Sequence, residues 1–554
     1  MKKLIIWIVI FALLVSFNAV LLENRSFKGN ITLENCREKL TATEHGIKAD
    51  SIESAKVNTA AINRLISSAP DGSAIYFPSG KYYIEADTIG INIFEKNGLM
   101  LYGEDASFIN TSFDPTENIT DKNYQKSSIF SILFSKNIRI EGFSFDYLRY
   151  TQVCGKIVEK TETETAIELD SRFLESGEKP AITGKEIASA VAVLDEKGAA
   201  TEDYYADGSY ATRLEGNKFY LEGDFGDIGM DAVVRFNIST APVFYAQNAR
   251  KLTFRKLKSF SSPAALFLMS GEGNENFNFY DITVAPPKGA HWRWGCNVDG
   301  IFLNSMRGEV NVKNCTFRGM GDDALNVHSS AAKVTAVSGN KIEMNYGFND
   351  APVNGSFAKA GDSFVFYKSD FSISARAKIK SVLFGKITLD ITEGSISVGD
   401  IAENTSLSPK LTVENVTVDG GRARAFLIQT DIVLIKNCDI KNLGLAGIII
   451  SPDINRWFEM GPSENIEISG CSFQNVCAMD NNACKGAIFS ASSHDGNETD
   501  KLIHKNIKII GNTFSDIPVF SVNLTSVDGG EIKNNNYNDV VIPITTNCEN
   551  ISID

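Results

Sequence analysis

The sequence predicts an all-β chain: a right-handed parallel β-helix carrying two inserted antiparallel β-barrel-like domains. Three observations predict it. A short template of alternating apolar residues recurs along much of the chain. The residue at one fixed place in that template is always Gly, Asn or Asp in the clear copies. Two long gaps between copies hold strand-and-turn sequence of a different kind.

The template is apolar-x-apolar, two linking residues, then apolar-x-apolar. It reads Ile138, Ile140, Phe143, Phe145, then Phe277, Phe279, Ile282, Val284, then Val310, Val312, Cys315, Phe317. Later copies are Leu411-Val413-Val416-Val418, Val433-Ile435-Cys438-Ile440, Ile466-Ile468-Cys471-Phe473 and Ile507-Ile509-Asn512-Phe514. A weaker copy starts at Leu252. Period-two alternation on both sides of a break means two short strands with one face buried. The residue before the second strand is Gly142, Asp281, Asn314, Asn415, Asn437, Gly470 or Gly511. These types tolerate φ > 0, so each can bend the chain sharply between strands. Stacked strand–bend–strand units make a solenoid. An antiparallel sandwich would need hairpin turns between successive strands, and few are present. The slot of Cys315, Cys438, Cys471 and Asn512 becomes an internal ladder of small core residues.

At the start, residues 1–22 hold Lys2 and Lys3 followed by an apolar run. They read as a signal peptide, with an uncleaved anchor as the alternative, so the protein is expected to be exported. Residues 23–149 form a cap and the first coils. Here Asn58 is expected to cap a helix that Pro70-Asp71-Gly72 stops. AIYFPSGKYYI (74–84) is expected to follow as a hairpin plugging the open end of the solenoid. Residues 150–245 and 330–408 are the two insertions, built on Gly-Asn, Glu-Lys and Gly-Lys turns. Coils at 246–329 carry the site, and 409–554 complete the solenoid. The second insertion leaves directly after His328 and is expected to overhang the site.

Composition narrows function. Hydrophobic residues make up 43% and charged residues 22%, with a net charge of −14 and no basic tract, which argues against a nucleic-acid partner. Cys471, Cys477 and Cys484 lack paired histidines, so no metal is expected there.

The chemistry concentrates in HWRWGCNVDGIFLNSMRGEVNVKNCTFRGMGDDALNVH (291–328), where Asp299 precedes Asp322 and Asp323 by 23 and 24 residues. That interval is about one coil. Neighbouring rungs lie about 4.8 Å apart, and lateral offset adds to this. The acids are therefore expected to reach the ~6.5–9.5 Å separation of inverting glycosidases. One carboxyl group protonates the glycosidic oxygen and another activates water. For Asp322 and Asp323 to share the groove, Gly321-Asp322-Asp323 must sit at a bend. Trp292, Arg293 and Trp294 offer aromatic faces and a guanidinium to a sugar. Asn326 and His328 follow the acid pair, and Arg424, Arg456 and Trp457 lie on later coils.

At N-V-D-G-I and G-D-D-A-L-N-V-H the chain resembles glycoside hydrolase family 110. The resemblance extends to the two-insertion layout. It implies an inverting exo-α-1,3-galactosidase acting on glycan ends, with Asp299, Asp322 and Asp323 as catalytic carboxylates and no cofactor. By analogy with the related polygalacturonases, Asp322 would be the acid, with Asp299 and Asp323 holding the water. Their Gly-His-Gly and Arg-Ile-Lys motifs are absent here, which weighs against a uronate substrate. The expected partner is a glycan with terminal α-galactose. A membrane is expected only through an uncleaved residue 1–22 segment, and a homodimer is possible. Rival readings are another β-helix polysaccharide hydrolase and a non-catalytic glycan-binding β-helix. A lyase would need a base such as Lys313 or Arg318, and nothing marks either.

Overall fold

The computed structural model describes residues 29–554, apart from 88–89, 118–127, 239–240, 272, 348–349, 354–356, 384, 455, 480–482 and 494–498. The expected signal or anchor, 1–22, lies outside the described residues.

The chain coils into a right-handed parallel β-helix with three walls. The template generates two of them. Leu252, Phe277, Val310, Leu411, Val433, Ile466 and Ile507 stack in register on the first wall, although insertion 330–408 separates Val310 from Leu411. Phe317, Val418, Ile440, Phe473 and Phe514 stack on the second. All seven predicted bend residues have positive φ, from 54° at Asn437 to 82° at Gly142. The weak copy has Lys256 at this place, at φ 49°. The third wall runs from Ile91–Phe94 through Phe244–Gln247, Phe267–Ser270, Ile301–Asn304 and Leu325–Val327 to Ile544–Thr546.

The walls enclose one apolar core. Phe130, Phe244 and Phe267 stack along it with ring centroids 5.3 and 5.0 Å apart. Each such buried ring contributes roughly 1.5–3 kcal/mol. The small-residue ladder is present: Cys438 N donates to Cys471 Sγ and Cys471 N to Asn512 Oδ1. Cys477 and Cys484 form a disulfide, and Cys471 stays free.

Two expectations at the entrance are corrected. The helix spans Ala55–Ser68 with Ser54 at its N-cap, so Asn58 lies inside it. Asn58 is buried because its amide clamps Lys48 N, Lys48 O and Tyr83 O. Ser73–Phe77 and Gly80–Ile84 do not pair with each other; both pair in parallel with Asn97–Asn110. They are two walls of the first coil. The Pro-Ser-Gly corner, with Gly80 at φ 145°, turns the chain between walls instead of reversing it.

The insertions differ. The first is a seven-stranded antiparallel sheet between Gln152 and Phe236. The second closes into a six-stranded barrel: the single strand Leu325–Ser338 begins on the third wall and ends as a barrel strand. Its turns lie where the sequence placed them, at Ser338–Lys341 and Leu383–Lys386.

Candidate active site

Register puts the acids together. Ile301 pairs with Leu325 and Leu325 with Phe426, so the residues two before each share one column: Asp299, Asp323, Arg424. Backbone bonds from Gly300 N to Asp323 O and from Ala324 N to Arg424 O hold these rungs. Residues 321–323 form a bend, as two adjacent acids on one side require. Gly321 allows it: a Cβ there would lie 2.0 Å from Asn297 O.

Oxygens of Asp299, Asp322 and Asp323 lie within 4.8 Å of one another. Asp299 and Asp323 occupy the same column, so their rungs stack directly.

Asp323 is 1% exposed, and the Arg424 guanidinium grips both its oxygens, at 2.7 and 2.9 Å. Asp322 is more accessible and accepts from Arg422 Nη2 at 2.6 Å. Asp299 is 8% exposed and forms no ion pair among the described residues. Burial pushes it well above the usual carboxylate range, and its two acidic neighbours push it further. Of the three, Asp299 has no guanidinium of its own, and burial with its acidic neighbours favours its protonated form. Three oxygens this close could also surround a cation. Arg422 and Arg424 already occupy Asp322 Oδ1 and both Asp323 oxygens, so a divalent ion would sit against two positive charges. The donor set favours proton chemistry.

Asp299 and Asp322 open into a cavity of about 690 Å³, lined also by Tyr205, Phe302, Asn326, Arg422, Arg424, Arg456, Trp457 and Glu459. Its size and its mix of aromatic and polar groups suit a small glycan. Asn326 Oδ1 is buried without a protein partner. Arg456 lies 4.8 Å from the Trp457 ring, which is 52% exposed. Asn326, Arg424, Arg456 and Trp457 are therefore at the site as expected.

Other expected site residues are elsewhere. Trp294 is 1% exposed and belongs to the core. Arg293 points to the first insertion and pairs with Asp231. Trp292 lines a separate cavity with Tyr150 and His291, and its Nε1 donates to Phe260 O. His328 lines an adjoining cavity of about 340 Å³, which shares Phe302, Trp457 and Glu459 with the first. It lies 3.6 Å from Glu459.

Among the described residues, none of the second insertion lines the carboxylate cavity; Tyr346 lines the His328 cavity instead. The first insertion supplies Tyr205 to the carboxylates. Sequence reasoning missed Tyr205, Phe302, Arg422 and Glu459. Arg422 had a signal, its place two residues before Arg424. Tyr205 had none, since a solenoid repeat says nothing about where an insertion folds back.

An acid triad held by two arginines in a pocket on a solenoid wall defines the class: a parallel β-helix enzyme with the equipment of a glycoside hydrolase. Relatives sharpen it. The chain is 21% identical to alpha-1,3-galactosidase B of Bacteroides thetaiotaomicron, over 86% of this chain and 82% of that one. It is 23% identical to alpha-1,3-galactosidase A of Bacteroides fragilis (strain NCTC 9343), over 83% and 80%. With alpha-1,3-galactosidase A of Akkermansia muciniphila it shares 25% over 43% of this chain and 40% of the relative. Residues 41–230 match a family model described as rhamnogalacturonase A/epimerase, pectate lyase-like. Among solved structures, polygalacturonase from Erwinia carotovora aligns with a TM-score of 0.43 and 9% identity, over 95% of this chain and 99% of that one. A mannuronan C-5 epimerase A-module from Azotobacter vinelandii aligns at 0.45 and 12%, over 93% and 100%.

Proposed function

We propose that the protein is an exported exo-glycosidase that releases terminal α-1,3-linked galactose from glycans with inversion, using acid/base carboxylate catalysis. One observation carries the acid/base part: three stacked carboxylates balanced by two arginines, with Asp299 and Asp322 open to a glycan-sized cavity. The galactose specificity draws on the named relatives. Inversion draws on the family resemblance.

Asp299 and Asp322 supply the acid and the base. Asp323 is clamped by Arg424, while burial and its acidic neighbours push Asp299 toward its protonated form. Activity should fall as pH rises and that proton is lost. Tyr205 on one flank and Arg456–Glu459 on the other enclose a sugar end.

A second reading is retention, in which one of these carboxylates, whose oxygens approach within 4.8 Å of one another, acts as the nucleophile. The product's anomeric form separates the two.

The functional test is galactose release from Galα1-3Gal and from the fucosylated blood group B trisaccharide. Release from either, abolished in Asp322→Asn, is the expected result. No release from either would sink the galactosidase reading and return weight to another polysaccharide. A folded protein that binds these sugars without cleaving them would be a binding module.

A further inference from the structure

Asp322 is held by a chain of charges that begins in the inserted sheet. Arg422 donates Nη2 to Asp322 Oδ1 at 2.6 Å and Nε to the Gly321 carbonyl at 2.6 Å. Its remaining nitrogen, Nη1, donates to Asp203 Oδ2 at 3.1 Å. Asp203 lies on the inserted strand Ala200–Tyr210. Its other oxygen accepts from Arg235 Nη2 at 2.5 Å. Arg235, on the inserted strand Asp231–Phe236, donates Nη1 back to the same Gly321 carbonyl at 3.0 Å. The loop Arg235–Asp203–Arg422–Gly321 is closed, and Asp322 hangs from it.

The ring is stiff for physical reasons. Arg235 is 0% exposed, and its guanidinium lies 4.9 Å from the Tyr205 ring and 5.5 Å from the Trp294 ring. Planar guanidinium between aromatic faces has little freedom. This gives Trp294 a place in the site after all, as a pedestal. Charges alternate along the chain, so each buried ion is compensated. The same insertion grips the loop before Asp299. Gln152 accepts from Trp294 N at 3.0 Å and donates to Trp294 O at 2.8 Å, and Asn297 Nδ2 donates to Thr151 O at 2.8 Å.

We infer that Asp203 and Arg235 are positioning residues for catalysis: by fixing Arg422 and the Gly321 carbonyl, they set the orientation of Asp322. The first insertion is then part of the catalytic frame, although neither residue lines the cavity. This rests on the reading of Asp322 as a catalytic carboxylate. Asp203 bridges two guanidinium groups. Remove its charge, and Arg422 is free to swing while Asp322 becomes its sole carboxylate partner. Asp322 then loses its fixed direction.

The test uses the full chain with Asp203→Asn, Asp203→Glu and Arg235→Lys, each confirmed folded by its thermal transition. For Asp203→Asn, kcat should drop about 10²-fold with KM within about twofold, as expected for a displaced catalytic group. Asp203→Glu should restore part of kcat. Unchanged kcat in a folded Asp203→Asn would overturn the inference and leave the network a fold-stabilising one. A double-mutant cycle of Asp203→Asn and Arg422→Gln, read from melting temperature, needs no substrate. Non-additivity is expected, and simple additivity would contradict the network itself. If the wild type releases no galactose, the functional reading fails while this cycle still decides whether the network exists.

Discussion

The two insertions leave the same solenoid and meet the site differently. The first departs after Tyr150, far from the acids in sequence, yet Tyr205, Asp203 and Arg235 reach the carboxylate loop. The second departs directly after the acids, and among its described residues Ser330, Ala331 and Tyr346 line the adjoining His328 cavity while none lines the carboxylate cavity. Distance along the chain is a poor guide to distance from the site. What matters is the corner from which an insertion leaves and the direction of its first strand. Leu325–Ser338 runs on straight from the third wall and carries the barrel past the acids. Gln152–Lys160 starts the first insertion beside the loop 294–297, onto which the sheet folds.

Variants on each side test this contrast. The largest effect belongs to the acids. Asp322→Asn or Asp299→Asn should lower kcat by about 10²–10⁴-fold, with little change in KM, because an acid–base group acts in the transition state. Steady-state kinetics on an α-galactoside measures it.

The barrel should respond in stability instead. Arg307 on the solenoid makes a bidentate pair with Asp362 of the barrel, at 2.8 and 2.7 Å, and Asp362 is 3% exposed. Arg307→Ala leaves a buried carboxylate unpaired and should cost about 3–5 kcal/mol in denaturant unfolding. Activity of the folded fraction should stay within about twofold. A large loss of kcat would mean that the barrel supports the acids after all.

An aromatic comparison is sharper. Tyr205→Ala should raise KM about tenfold, as loss of a ~1.5 kcal/mol aromatic contact implies. Tyr346→Ala, in the second insertion, should change it less than about twofold on a disaccharide. Equal effects would erase the distinction between the two insertions.

The smallest effect is thermal. The folded-state pKa of Asp299 is raised above its unfolded value by burial and by its acidic neighbours. The folded protein therefore binds this proton more tightly than the unfolded chain. Stability falls as pH climbs from the ordinary carboxylate value through the raised one. Asp299→Asn removes that penalty. Its melting temperature should exceed the wild type's by on the order of 2 °C at neutral pH, and the gap should close as pH falls to about 4. A variant less stable than wild type at neutral pH would show that Asp299 is ionised and compensated.

Much of the fold was legible because a solenoid is locally encoded. Each coil repeats one pattern, and its left-handed bend needs Gly, Asn or Asp, so Asp281, Asn314, Asn415 and Asn437 announced their corners. The interval from Asp299 to Asp323 announced the stacked acids for the same reason. Where the chain departs from the repeat, legibility ends. Asn58 looked like a cap because Asn often is one, but a tertiary clamp on Lys48 and Tyr83 had claimed it. The strand-turn-strand around Pro78 read as a hairpin, because sequence does not distinguish a corner from a reversal. The HWRW stretch promised sugar contacts, whereas its side chains diverge to a separate cavity, an ion pair and the core. That Asp299 and Asp323 share one column is a property of register, invisible until Ile301 is seen opposite Leu325.

The most direct test of the account is the first anomer released. Hydrolysis of Galα1-3Gal, followed by proton NMR from the earliest minutes, should show β-galactose ahead of mutarotation, as single displacement by a water activated in the triad requires. α-Galactose appearing first would contradict it and make one of the closely stacked carboxylates a nucleophile.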